Sequence, residues 1–490
     1  MRVQLLTYNG HLTGLDSADK DALGSSDTAL GQWLKPTLDK ATSASRSTRD
    51  DRDNQDSTSV RKQTRQKSAE ALNDEGADAP DVVAIGFQEM IPLHLALLGL
   101  SKATLDAHDF QLTAALSQHY STPYVVLAKK CLGAIALLVY VRQDKLANVR
   151  DVRVASAAFG IANLMGNKGA VGVRIVVNDS DDDEDQNDRD SSSDPRSKGR
   201  QILTFVTAHL AAHDSGLERR NRDYQSIVER LVFAHDAESK QFKPLQPLNV
   251  FASCDRRDGS NAEQDLNYRL SLKKPKSLPL PSLTHKIQNS DFETLFQYDT
   301  LTQQRRLGKT LHGLHEARID FKPTYKYKVG TVDTFKSFKK RVPGWTDRVV
   351  FATWADRAGD ERDDVQVVPV GQSSRGDNDD KTIVEVYTSV QEFTRSDHKP
   401  VTAIIKLPRA RSNPNLGSSQ TTTTSQNLRL KTRNPFQVDQ TWRKKKLMGW
   451  ILDRVVGFNW CLLVLLGFNK DARLGVINLA LIIFAMYYRS

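Results

Sequence analysis

PDVVAIGFQEM, residues 80–90, is the stretch from which the fold can be read. Val82, Val83, Ala84 and Ile85 follow one another without a polar break, between Pro80 and Gly86, and the run opens into Gln88 and Glu89. A short Val/Ile-rich run bounded in this way predicts a strand. Working outward, runs of the same kind lie at 3–7, 134–141, 170–177, 202–208, 248–252, 349–352, 383–387 and 401–406. Apolar residues at helical spacing (Ile227, Leu231, Val232) mark a helix over 216–237, with further helical candidates at 29–38, 93–107 and 109–118. Many short strands with helices between them predict a layered α/β sandwich.

The chain has 490 residues, 69 Lys and Arg against 59 Asp and Glu, and a net charge of +10. Apolar residues make up 39%, below the roughly 45–50% usual for a globular chain, which suggests one large domain diluted by polar insertions. Residues 41–79 are mostly Ser, Thr, Asp, Arg and Gln, and 178–199 contains DSDDDEDQNDRDSSSD. Neither buries enough apolar surface to offset its ordering entropy, so both are expected to be disordered insertions. A third insertion is expected at 356–380 and a linker at 409–434. Cys131, Cys254 and Cys461 are too few and too scattered for a disulfide scaffold or a four-cysteine zinc site, and they fit a reducing compartment. The N-terminus lacks the apolar run and small-residue cleavage site of a signal peptide, so the bulk of the chain is expected to face the cytosol. The positive charge fits nucleic acid, anionic lipid, an anionic substrate or simple solubility, and does not choose among them.

Five strand ends carry residues that bind metals or move protons. They are Asn9, Glu89, His209, the Asp265/Asn267 pair of DLNYR, and the Asp397/His398 pair of SDHKPV. Each alone is weak evidence: a single His at a strand end is more often structural, and a Glu in FQE is more often a surface or capping group. Together they make one site if the strand ends share a face of the sheet, and oxygen ligands without cysteine suit Mg2+.

Eight strings then carry a resemblance. They are PDVVAIGFQEM, GNKGAVGVRI (166–175), FVTAHLAAH (205–213), ERRNRDY (218–224), DLNYRL (265–270), FKPTYKY (321–327), KKRVPGWTDRVVF (339–351) and SDHKPV (396–401). In this order they resemble the inositol polyphosphate 5-phosphatase family of the endonuclease/exonuclease/phosphatase superfamily, including its fungal members with a C-terminal membrane anchor. The resemblance implies a four-layer α/β/β/α sandwich over 1–408. It implies Mg2+ held by Glu89 with Asn9 beside it. Asp265 would orient or deprotonate the attacking water, helped by Asn267. His398 would bind the scissile phosphate with Asp347 fixing its tautomer, His209 would touch the same phosphate, and Asp397 would support the metal and water network. Asn167 and Lys168 would line the phosphate pocket, and Tyr325, Lys326, Lys339 and Arg341 would recognise an adjacent 4-phosphate.

Three departures stand out. Tyr8 and His11 replace the family's Trp and second Asn around Asn9. A polar segment, 254–264, separates the apolar run NVFAS from DLNYRL, with Gln264 where the family has Gly; it is expected to bulge outward and leave Asp265 in place, the alternative being that Asp255, directly after the apolar run, competes for the site and impairs the enzyme. Gly344 and Thr346 are small replacements in PGWTDR that are expected to be tolerated. After a linker and basic segment, 409–446, the tail 447–490 holds two apolar stretches, 455–468 and 474–488. Each is shorter than the roughly 20 residues of a straight span. Trp450, Trp460, Tyr487 and Tyr488 suit a membrane interface, and the basic run 443–446 suits anionic headgroups. The expectation is an anchor on the cytosolic face of an internal membrane such as the endoplasmic reticulum, made either by the last segment with the preceding one lying on the surface or by a short re-entrant hairpin; the alternative is that the two helices pack as a small core against the catalytic domain. The expected activity is conversion of phosphatidylinositol 4,5-bisphosphate to phosphatidylinositol 4-phosphate, with no nucleic-acid partner. The rivals are a nuclease or phosphodiesterase of the same superfamily and a catalytically impaired phosphoinositide-binding tether.

Overall fold

The computed structural model describes residues 1–10, 29–56, 79–178, 200–233, 248–249, 258–270, 280–336, 342–353, 367–368, 370, 382–407, 436–468 and 472–489. Its elements begin with β1 (Arg2–Asn9), α1 (Ala29–Asp56), β2 (Val82–Gln88), α2 (Leu93–Leu98), α3 (Ser101–His119), β3 (Tyr124–Leu132), β4 (Ile135–Arg142) and β5 (Val149–Ala158). There follow β6 (Gly169–Asn178), β7 (Arg200–His209), α4 (Leu217–Arg230), β8 (Val232–Phe233), β9 (Leu248–Asn249), β10 (Asp258–Asp265), α5 (Leu280–Gln288), α6 (Phe292–Phe296) and α7 (Thr300–Arg306). The last are β11 (His315–Ala317), β12 (Asp347–Ala352), β13 (Val367–Val368), β14 (Ile383–Ser389), β15 (Val401–Lys406), α8 (Trp442–Leu465) and α9 (Ala472–Arg489).

Two sheets face each other. One runs β14-β15-β1-β2-β4-β3, the other β13-β11-β12-β10-β7-β6-β5, and β8 and β9 form a separate ribbon. Side chains alternate across a strand, and both faces of the central strands are apolar. Val3 and Leu5 of β1, with Val82 and Ala84 of β2, pack into the core between the sheets against Val173, Leu203 and Phe205. Leu6 and Tyr8, with Val83, Ile85 and Phe87, pack outward against Leu34 and Leu38 of α1 and Leu105, Leu112 and Leu116 of α3. On the far side Val206 and Val350 meet Tyr224, Ile227 and Val228 of α4 and Leu301 of α7. The result is the expected order α/β/β/α, with full burial of each Val or Leu worth about 1.5–3 kcal/mol.

The structure corrects several expectations. Helix α1 runs on to Asp56 through the first part of the expected 41–79 insertion, with Ala41 and Ser45 fully buried. The expected helix over 93–107 breaks after Leu98, where Gly99 takes a φ of +96° that glycine adopts without strain. Strands β3 and β5 arise where none was expected, and β13 falls inside the expected 356–380 insertion.

The largest correction concerns 254–264. The apolar run at 248–252 does not lead into DLNYRL: Leu248 and Asn249 pair with Phe233 and Val232. The strand that reaches Asp265 is β10, built from DGSNAEQD, so 258–264 is in the sheet and does not bulge. Its place is set by its neighbours, since it is parallel to β7 and antiparallel to β12. Two flanking strands present rows of N–H and C=O groups that need a partner, and the polar segment supplies it. The rest of the expected insertions, at 57–78, 179–199, 356–366, 369 and 371–380, and the expected linker at 409–434 lie outside the described residues.

The basic run 443–446 is the first turn of α8. Among the described residues α8 is the helix long and apolar enough to cross a membrane by length and composition, yet it lies against α2 and the loop after β5.

Candidate active site

The strand tips converge at one end of the sandwich. Parallel pairing of β1 with β2 sets Asn9 opposite Gln88, so Asn9 and Glu89 share an edge. Glu89 leaves the strand at a φ of 50°, a left-handed turn uncommon for a residue with a side chain. The backbone there is fastened by Gly10 N–H to Gln88 O at 2.8 Å and Met90 N–H to Ala134 O at 3.0 Å. Ser396 donates to Asn9 O at 2.7 Å, bringing in the turn before β15. In the other sheet the register aligns Gly169, His209, Asp265 and Asp347 across β6, β7, β10 and β12. Buried Gln88 bridges the two sheets by donating to Thr207 Oγ1 at 2.8 Å. At the tips, Glu89 Oε1 comes to 3.6 Å from His209 Nε2.

Two histidines occupy different electrostatic settings. His398 Nδ1 lies 2.9 and 3.1 Å from the two carboxylate oxygens of Asp347. Asp347 Oδ2 also accepts from the hydroxyls of Thr324 at 2.7 Å and Thr346 at 2.9 Å. A buried carboxylate held by two hydroxyls fixes the ring and places its proton on Nδ1. The Tyr325 ring packs on the imidazole at 4.6 Å between centroids, and the Arg269 guanidinium sits 4.8 Å over that tyrosine. His209 Nε2 is instead in hydrogen-bonding contact with Lys168 Nζ. Burial, with the charges of Lys168 and His398 adding to it, drives its pKa well below the ordinary histidine value. It is therefore a neutral acceptor near neutral pH.

Glu89, Asn9, His209, Lys168, Asp347 and His398 line this end of the sandwich, and the backbone of Asp265 reaches it between His209 and Asp347. Asn267 stands near it at a φ of 53°, its amide donating to Leu210 O at 3.2 Å. Asn167 Oδ1 accepts from Ile161 N–H at 2.9 Å and so shapes the 160–168 loop. The Lys326 ammonium, expected at a substrate phosphate, is paired with the Asp397 carboxylate, expected in the metal and water network. The side chain of Asp265, and Lys339, Arg341 and His11 entirely, lie outside the described residues.

Sequence reasoning missed three groups. Thr346 is expected only to be tolerated, and its hydroxyl in addition holds Asp347. Thr324 does the same from the neighbouring segment, and Arg269 backs Tyr325. Each lies inside one of the family-like strings, Thr324 and Thr346 next to Tyr325 and Asp347 and Arg269 two residues after Asn267.

Among the described residues no group of three or more His, Cys, Asp or Glu forms a cage for a metal ion. The Glu89 carboxylate, with Asn9 on the adjacent strand tip, offers a sparse, hard-oxygen donor set, which fits a cation that keeps much of its coordination for water and substrate oxygen. Such donors beside a lysine and two imidazoles suit an anionic ester.

A family model described as Endonuclease/Exonuclease/phosphatase family 2 matches residues 54–404. The chain is 28% identical over 338 residues to synaptojanin-2 of Homo sapiens, covering 67% of this chain and 19% of that protein. It is 29% identical over 336 residues to the type II inositol 1,4,5-trisphosphate 5-phosphatase of Mus musculus, covering 67% and 27%. It therefore spans only a fifth to a quarter, roughly, of the length of these relatives. Among solved structures it resembles the inositol polyphosphate 5-phosphatase domain of SPsynaptojanin, crystallised with inositol (1,4)-bisphosphate and calcium. The TM-score is 0.51 at 22% identity, over 83% of this chain and 85% of that one.

Proposed function

The chain belongs to the endonuclease/exonuclease/phosphatase family, and from that premise we propose that it is a Mg2+-dependent phosphoinositide 5-phosphatase. Its substrate is phosphatidylinositol 4,5-bisphosphate and its products are phosphatidylinositol 4-phosphate and inorganic phosphate. The observation that carries this reading is the meeting of Glu89, Lys168, His209 and the His398–Asp347 pair at one end of the sandwich. Mg2+ bound by Glu89 and Asn9 would neutralise charge on the phosphate. With Nδ1 committed to Asp347, His398 meets a phosphate oxygen through Nε2. Lys168, steered by His209, presents a second positive charge to the same anion. Asp265 takes the proton of the attacking water, with Asn267 held beside it. Lys326 and Tyr325, with Lys339 and Arg341, read the neighbouring 4-phosphate, and for this Lys326 exchanges the Asp397 carboxylate for the phosphate.

The register that sets Asp265 beside His209 and Asp347 favours an active enzyme over a catalytically impaired tether. The apolar helices α8 and α9 support attachment to a membrane, with the enzyme on the cytosolic face, most simply that of the endoplasmic reticulum. Attachment favours lipid over soluble substrates by raising local concentration. The test is phosphate release from vesicles of each phosphoinositide, with Mg2+ and after chelation. The reading expects Mg2+-dependent release from phosphatidylinositol 4,5-bisphosphate and none from phosphatidylinositol 4-phosphate. Equal release from both, or release unaffected by chelation, would refute it.

A further inference from the structure

Helix α8 meets the rest of the molecule along one stripe. Gly449, Asp453, Gly457 and Cys461 recur every fourth residue and so share a helix face. A Cβ on Gly449 would fall 2.1 Å from Leu164 O, and one on Gly457 would fall 2.6 Å from Leu98 N. At these positions only glycine allows so close an approach. Arg454 donates to Leu97 O at 2.5 Å and Cys461 Sγ to His94 O at 3.7 Å. The large apolar side chains Trp450, Ile451, Val455 and Phe458 are exposed on the other side. Docking therefore rests on backbone approach and polar contact.

The central contact reaches the phosphate-facing cluster. The Asp453 carboxylate accepts from Gly166 N–H at 2.9 and 3.1 Å. Asp453 is 7% exposed, and burial pushes its carboxyl up to about 6. Gly166 lies two residues before Lys168, the lysine on His209. It is also packed against Gly133, where a Cβ would fall 2.2 Å from Gly166 O. Helix α2, under Gly457, begins four residues after Glu89. One face of α8 thus braces the segments that carry both Lys168 and Glu89.

We propose that α8 is an integral part of the catalytic domain, and that Asp453 is a positioning residue that holds the Gly166–Lys168 turn so that Lys168 meets the scissile phosphate. The proposal rests on the phosphatase reading above. It also divides the tail between the domain and the membrane. Contacts from Gly449 to Cys461 occupy about 18 Å of helix axis, and the few residues beyond are far short of the roughly 20 a span needs. While docked, α8 lies along the domain, and α9 is the segment left to enter the bilayer.

The test uses the full chain in detergent micelles with soluble inositol 1,4,5-trisphosphate, so that membrane binding plays no part. Amide exchange is followed in parallel over 160–169, with β4 as the internal control for an intact core. Asp453→Ala is expected to raise KM about tenfold, with kcat changed far less, and to speed exchange at Gly166 by a similar factor, as loss of a hydrogen bond to a charged acceptor implies. Asp453→Asn keeps the acceptor and should match the wild type in both. Gly457→Leu lifts α8 from outside the loop and should reproduce both changes of Asp453→Ala. Wild-type exchange at Gly166 in Asp453→Ala, or equal defects in Asp453→Ala and Asp453→Asn, would overturn the proposal. A wild-type chain that releases no phosphate from this substrate or from phosphatidylinositol 4,5-bisphosphate in the same micelles refutes the phosphatase reading, and the exchange comparison still decides whether α8 holds the turn.

Discussion

Asp347 gathers three donors on one buried carboxylate: Thr324, Thr346 and the His398 imidazole. An asparagine there keeps the shape but offers only one acceptor oxygen and adds an N–H2 group, which turns the imidazole to the wrong tautomer or pushes it away. Asp347→Asn should lower kcat by about a hundredfold or more with the fold intact, as loss of a group that aligns proton handling does. Steady-state kinetics beside far-UV circular dichroism checks this, and a loss below about fivefold would remove Asp347 from the role. Lys326 makes a sharper case, because it is held by Asp397 in the resting molecule. Lys326→Ala should weaken substrates bearing a 4-phosphate more than those without one; equal effects on kcat/KM for both would refute its assignment. At this scale the His398–Asp347 partnership could be expected from the SDHKPV and WTDR strings. The Lys168–His209 contact could not, because it depends on two strands pairing 41 residues apart.

Elements show why some structure is legible in sequence and some is not. The central strands β1, β2, β4, β6 and β7 declare themselves as Val/Ile runs because both of their faces are buried. Strand β10 carries no such signal: DGSNAEQD has one apolar residue, and the partners on either side create the strand. Edge strands β3 and β5 mix lysine, arginine and aspartate with valine, which blunts the pattern and also discourages pairing with other chains. The second half of α1 reads as disorder by composition, yet Ser45 closes a buried pair in which Arg2 Nε meets Glu385 Oε2 at 2.7 Å. Helix α3 carries a pH-sensitive residue. His108 packs 5.3 Å from the Phe87 ring, and among the described residues its Nδ1 has no hydrogen-bond partner. Burial lowers its pKa from 6.5 to about 4. The unfolded chain binds the proton first, so no penalty exists above pH 6.5, and stability is lost progressively as pH falls towards 4. The loss approaches about 3 kcal/mol. Urea unfolding at pH 7.5 and 4.5 should show this fall in the wild type and a much smaller one in His108→Leu; the same slope in both would contradict the assignment.

Across the whole molecule, a buried charge network ties the second sheet to its helices. Arg348, 1% exposed, meets Glu316 at 2.6 and 2.7 Å and Asp299 at 3.2 Å, and Glu316 also takes Arg305 and the Tyr387 hydroxyl. Asp299 in turn caps α7 through Thr302 N–H at 2.9 Å. Removing one partner strands a buried guanidinium, so Glu316→Ala should cost about 3–5 kcal/mol in denaturant unfolding; a cost below about 1 kcal/mol would contradict the network. The four layers and the family were legible because their signals are local strings in a fixed order. Packing of the tail helices on the catalytic domain was open in the sequence only as an alternative to an anchor, because the contacts of α8 run through glycines and one aspartate and carry no apolar pattern. Catalysis by this chain depends on strand tips that converge on a ring phosphate. Its most direct test is the 31P NMR spectrum of inositol 1,4,5-trisphosphate after incubation with the full chain and Mg2+, beside a Glu89→Gln control. Inositol 1,4-bisphosphate and inorganic phosphate are expected from the wild type, and almost none from the variant. Loss of the 4-phosphate in place of the 5-phosphate, or equal turnover by both proteins, would contradict it.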